Sequence, residues 1–316
     1  MLLYVVLGIV DQAQTPPALA PTAGPAPAEI EVAPGAHELT TPAEGTAAVP
    51  KLRTHADLLA ILSAAEVNPN SVLPASRSWL QERGFLGSHE LLGVGTAEAP
   101  VFFYQSLDGP TLEAMSQKGD LGALQALAAQ NLLIDPFLAT DLYSQAAAEG
   151  SDYAMLQIAS LLETFSSISP ADYDADSDYA RKLARFRASR GERELQENAL
   201  AFALAALRSS GAPVAQPDVL SWIQRLAANF AGEELNEACQ LSARIFFEMS
   251  AIRRSRGKLR LSSQPPPVFF TAPDLAEQMP CGDTRAPVDP VLDIADCRIQ
   301  RVEDARRRIL NLHVCE

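Results

Sequence analysis

The chain has 316 residues, a formal net charge of −14, and side chains that are 47% hydrophobic but only 6% aromatic. This length is enough for a sizeable core in one or two domains, and the Ala- and Leu-rich, aromatic-poor mixture favours helices over sheets. The acidity argues against general nucleic-acid binding, which needs clustered positive charge against phosphates.

The charge is unevenly placed. Residues 1–180 hold 5 Lys and Arg against 22 Asp and Glu, whereas residues 181–316 hold 20 against 17. Arg253, Arg254, Arg256, Lys258 and Arg260, then Arg306, Arg307 and Arg308, are the basic clusters, and they read as solvated helix ends, where cations suit the C-terminal dipole.

In chain order, residues 1–10 (MLLYVVLGIV) form an apolar run too short to span a bilayer. The run lacks the basic start of a signal peptide, and Ala18-Leu19-Ala20 is a poor cleavage site because Pro21 follows. Two readings stay open: the remnant of a longer signal or anchor, or a short apolar segment without targeting meaning. The Ala/Pro-rich linker over residues 11–53, expected to be disordered or extended, favours the first, since such a spacer holds a domain off a membrane. The expected location is the periplasm or cell envelope, with a membrane tether through the N-terminus; the cytoplasm is the alternative.

Residues 54–109 are expected to form a small N-terminal helical region. Thr54 reads as the N-cap of HADLLAILSAAE, and Asn68-Pro69-Asn70 stops that helix. A short helix over 76–83 follows, closed by Gly84, and a Gly-spaced loop leads to Pro100-Val101-Phe102-Phe103-Tyr104, which reads as extended.

From Pro110 the pattern turns helical, with helices expected over 110–118, 120–132, 136–149 and 152–166. The turns between them are short, so successive helices lie antiparallel. Gly119, Ala123 and the Leu127-Ala128 pair return as Gly150, Ala154 and the Ile158-Ala159 pair, a shift of 31 residues. A fixed period of this size marks stacked helical hairpins, which bury a face only against their neighbours and present a concave surface to a partner. The fold expected over 110–260 is therefore an all-α, helical-hairpin repeat domain. Its later helices are expected over 178–189, 192–210, 217–230 and 233–256. In the last of these Leu235, Cys239, Ile245, Phe246, Met249 and Ile252 share one apolar face, which reads as core, with Cys239 a small buried hydrophobe.

Residues 261–316 are expected to be a Pro-rich irregular segment with a short terminal helix over 298–312, because Pro265, Pro266, Pro267, Pro273, Pro280, Pro287 and Pro290 exclude long regular structure. If the protein is exported, a disulfide among Cys281, Cys297 and Cys315 is expected, with the pairing left open.

No catalytic, cofactor-binding or metal-binding residue stands out. Asp172, Asp174, Asp176 and Asp178 alternate, but a calcium loop beginning at Asp172 would need Gly and Glu where Ser177 and Leu183 stand. An acidic solvated loop with Asp178 as helix cap is the better reading. His89-Glu90 has no second His at the zinc-protease spacing. The spacing of Cys281, Cys297, His313 and Cys315 matches no zinc knuckle. Phosphate loops, dinucleotide fingerprints and nucleophile elbows are absent from the sequence.

Gly119-Asp120, Ala123, Leu127-Ala128, Asp135, Ala139, Tyr143, Ala146-Ala147, Gly150, Ala154 and Ile158-Ala159 together resemble the Sel-one-like repeat, a relative of the tetratricopeptide repeat. The resemblance covers residues 119–162. It implies a tetratricopeptide-like α/α solenoid, with small residues where helices cross and a glycine closing each hairpin. It also implies an adaptor scaffold of the kind found in bacterial envelopes and signalling assemblies. The expected function is thus non-catalytic binding of a protein or peptide partner, with Tyr143, Tyr153 and Gln157 as candidate contacts and the hairpin core as the alternative place for the two tyrosines. A hydrolase-type enzyme with its site outside the repeats, or a purely structural helical domain, are the other readings.

Overall fold

The computed structural model describes residues 49–86, 100–132, 134–169, 177–210, 217–258, 265–273, 280–281 and 297–315. The apolar run and most of the linker, the His89-Glu90 pair and the acidic positions Asp172, Asp174 and Asp176 lie outside them.

The fold is mostly helical, with eleven helices and one small four-stranded sheet among the described residues. The helices are α1 (His55–Ala64), α2 (Pro69–Glu82), α3 (Pro100–Gln105), α4 (Gly109–Ser116), α5 (Leu121–Asn131), α6 (Pro136–Ala148), α7 (Asp152–Ser167), α8 (Asp178–Arg190), α9 (Glu192–Ser210), α10 (Pro217–Ala227) and α11 (Glu233–Ser255). The strands are β1 (Lys51–Leu52), β2 (Val268–Thr271), β3 (Arg298–Asp304) and β4 (Ile309–Val314).

Most helix starts follow from local chemistry, a short polar side chain accepting from an otherwise orphaned N–H of the first turn. Thr54 and Asp57 form a reciprocal capping box at α1. Asn68 caps α2 with Pro69 in the first turn, so Asn68-Pro69-Asn70 ends one helix and begins the next, and α2 starts earlier than the expected 76. At α8 the cap is Ser177 rather than Asp178, which occupies the first turn. Residues 100–105 correct the extended reading. They are helical, and the Tyr104 ring fills the space where a Cβ on Gly122 of α5 would lie, a tertiary contact that local preference does not contain.

The 31-residue shift coincides with one hydrogen-bonding pattern used twice. Gly119 (φ 76°) donates to the Ser116 carbonyl at 2.9 Å while Asp120 N–H reaches Met115. Gly150 (φ 106°) donates to Ala147 at 2.9 Å while Ser151 N–H reaches Ala146. Each glycine takes the positive φ that closes the finished helix. The next residue, Asp120 or Ser151, then caps the following helix by accepting from Ala123 N–H or Ala154 N–H, both at 2.9 Å.

In packing, α5, α6 and α7 each lie against their predecessor, α3 lies against α5, and α9 is flanked by α7, α8, α10 and α11. From Asn198 to Leu207 every residue of α9 is buried, the mark of a helix apolar all round and enclosed on all sides. Ala123, Ala128, Ala154 and Ala159 have no exposed surface, so neighbouring backbones approach closely there. Ala154→Leu is expected to overpack this crossing and lower stability by about 1–3 kcal/mol, read from urea unfolding. A midpoint equal to wild type would refute the close packing.

The sheet has the order β1-β3-β4-β2, with β1 parallel to β3 and the other pairs antiparallel. The terminal helix expected over 298–312 is instead the β3–β4 hairpin. Val302, Leu310, Leu312 and Val314 alternate into the core beside Val268 and Phe270, which is period two rather than a helical stripe. At the turn, the Asp304 carboxylate accepts from Arg306 and Arg308 N–H, each at 2.8 Å, and from Arg308 Nε at 2.7 Å. Arg306 and Arg308 also pair with Asp218 on α10, so this basic cluster ties a hairpin to a helix and is not a helix end. One core cluster runs from Leu52 through the helices to Val314.

Candidate functional site

Among the candidate contacts, Tyr153 and Gln157 lie on a partly buried stripe of α7 that continues through Leu161 and Thr164, at helical spacing, with Tyr153 and Leu161 resting on the core. The Tyr153 ring meets Phe85 edge-on, with centroids 5.8 Å apart. Tyr143 does not join them: it is 2% exposed within the core of α6, and burial holds its hydroxyl well above the usual tyrosine range. The same spacing that gives α6 a buried alanine face carries Tyr143 inward, which removes it from any partner surface.

Beneath the first turn of α7 lies a cluster that sequence reasoning did not find. The ends of α2, α6, α9 and α11 converge on it. Asp152, fully buried, accepts a hydrogen bond from the Ser210 hydroxyl, interacts with the Ser209 side chain, and stands 3.7 Å from Arg83 Nε. Burial pushes its carboxyl up to about 6, despite the opposing pull of the two serines, Arg83 and Arg253. Its Oδ1 has no hydrogen-bond partner among the described residues. Arg83, also fully buried, lies over the Trp79 ring, 3.5 Å from the centroid, and donates to the Trp79 carbonyl at 3.3 Å.

Next to this pair, Glu149 accepts from Arg256 and stands 3.3 Å from Lys258 Nζ, while the Arg253 guanidinium occupies the space beside Gly150 where a Cβ would point. Gln125 donates to the Ser151 hydroxyl at 2.6 Å, and Gly84 sits against both. The basic run 253–258 is thus engaged at the C-terminal end of α6 and does not simply face solvent. The only advance signal was that Arg83 and Asp152 each flank a helix end; their separation in sequence hides the pair.

All four cysteines are in disulfides, Cys239–Cys281 and Cys297–Cys315. The second is one of the pairings left open in sequence. The first corrects Cys239, which is buried but bonded, and ties α11 to the Pro-rich segment. With both thiol pairs oxidised they offer no thiolates to zinc, and no group of metal-ligating side chains occurs among the described residues.

No family model, curated protein or solved structure matches the chain. The buried Arg83–Asp152 pair is sealed from solvent and braces helix ends, whereas the α7 stripe reaches solvent with amide, hydroxyl and apolar side chains. No described helix is long and apolar enough to cross a membrane.

Proposed function

We propose that the protein is a non-catalytic helical-repeat scaffold of the tetratricopeptide-like, Sel-one-like kind, which holds a protein or peptide partner on the face carrying Tyr153 and Gln157. The observation that carries the reading is the pair of matching glycine-stop and polar-cap joints at 116–123 and 147–154, with buried alanines in equivalent places. Joints of one geometry stack hairpins side by side, and stacked hairpins leave one face of each helix for a partner. The α7 stripe offers an aromatic edge beside an amide, a combination suited to peptide backbones.

The two disulfides support a location outside the reducing cytoplasm, in the periplasm or cell envelope, with the N-terminal segment as tether. The test is affinity capture with the full chain from a native envelope extract, wild type beside Gln157→Arg. One stoichiometric partner held by wild type and depleted about tenfold or more by the variant, at unchanged thermal midpoint, is expected for loss of a central polar contact. Equal capture by both proteins removes the α7 face from the binding surface.

A further inference from the structure

The sheet carries a second surface, independent of the α7 stripe. Strand β3 pairs with β4 along its whole length, but on its other side, among the described residues, β1 covers only Glu303 and Asp304. Backbone direction alternates along a strand. Since the Glu303 N–H bonds to the Pro50 carbonyl at 2.9 Å, Ile299 and Arg301 aim their N–H and C=O groups at this same edge. Pro50 has no N–H to offer the Arg301 carbonyl, so the β1 ladder stops where the edge begins. The side chains there are accessible: Ile299 is 59% exposed and Arg301 is exposed.

We propose that this edge is a docking site for an extended acidic peptide, which adds as a strand beside β3. Strand addition takes its affinity from main-chain hydrogen bonds and its specificity from alternate side chains. Ile299 and Arg301 share the outer face, and Arg301 has no ion-pair partner among the described residues. Glu303, the acid on that face, lies directly opposite Lys51 and is offset by it. Among the described residues of this edge the excess is positive, in a chain whose net charge is −14, so an incoming strand that alternates acidic and apolar residues matches Arg301 and Ile299. A strand edge left open invites uncontrolled pairing, and a cation at that edge selects among partners.

The experiment is hydrogen–deuterium exchange on the full-length oxidised chain with a short synthetic peptide of alternating Glu and Val, and with its Lys–Val counterpart. The Glu–Val peptide is expected to slow exchange at the Ile299 and Arg301 amides by about tenfold or more at saturation, and the Lys–Val peptide to leave them unchanged. Arg301→Glu, an exposed change that keeps the thermal midpoint, is expected to reverse the order of the two peptides. The proposal is overturned if neither peptide protects these amides, if both protect them equally, or if the chain binds anionic lipid vesicles while ignoring the peptide. It is also overturned if the amides are already protected in the free chain, since the acidic N-terminal segment or a second copy then holds the edge. Gln157→Arg leaves this readout untouched, so the two surfaces stand or fall separately.

Discussion

Arg83→Met is expected to lower stability by about 3–5 kcal/mol at neutral pH, because it leaves the Asp152 carboxylate buried without its nearest cation. The size of the defect is expected to depend on pH in a defined direction. Burial pushes the Asp152 carboxyl up to about 6 in the folded chain, above its ordinary 3.8, so between those values the folded state holds a proton that the unfolded state releases. Its contribution to stability is therefore largest below the unfolded value and is lost as pH rises through the folded one. Without Arg83 the carboxyl binds its proton still more tightly, so the variant should recover part of its stability on going from pH 7 to pH 5. Urea unfolding at the two pH values measures this, and Arg83→Met/Asp152→Asn should lack the recovery. A defect that is equal at both pH values, or below about 1 kcal/mol, would mean that the pair is not buried as described.

Cys239→Ala is the second large effect expected. Its bond to Cys281 closes a loop of 42 residues in sequence, and opening a loop of that size costs typically about 2–4 kcal/mol through the freedom restored to the unfolded chain. Cys297–Cys315 joins the ends of the β3–β4 hairpin over only 18 residues, and its loss should cost less by the same argument. Comparing thermal midpoints of Cys239→Ala and Cys297→Ala/Cys315→Ala, each under non-reducing conditions, tests the order. If the hairpin bond proved the more stabilising, loop closure would not be the governing cause.

How much of this was legible depended on whether the signal was local. Asp108, Asp120, Asp135 and Ser151 each accept from the first turn of the helix they precede, and the glycines at 119 and 150 close the helices before them. Helices α4 to α7 consequently fall within a few residues of their expected bounds, and α11 ends at Ser255 where 256 was expected. The β3–β4 hairpin was misread because its turn holds Arg307, not glycine or asparagine, at positive φ (63°), and the Asp304 carboxylate that organises the turn resembles any other surface acid. Residues 100–105 were misread because their shape follows from Tyr104 meeting Gly122 in another helix. Cys239 sits at a regular core position of α11, and nothing nearby in sequence marks its distant partner. Arg83 and Asp152 escaped notice for the same reason. At the α7 stripe the helical period placed Tyr153 and Gln157 on one side, but residue type alone did not separate them from Tyr143, which the turn of α6 carries inward.

Strand β1 pairs with β3 across 252 positions of chain, Lys51 opposite Glu303. During synthesis, the first strand leaves the ribosome long before its partner is made, so the four-stranded order can be completed only near the end of translation. The helices, whose main contacts are with the next helix or the next but one, can form meanwhile. The sheet then acts as a late fastener that joins the start of the described chain to its finish, and a nascent protein halted before residue 298 should hold helices with β1 still waiting for a mate.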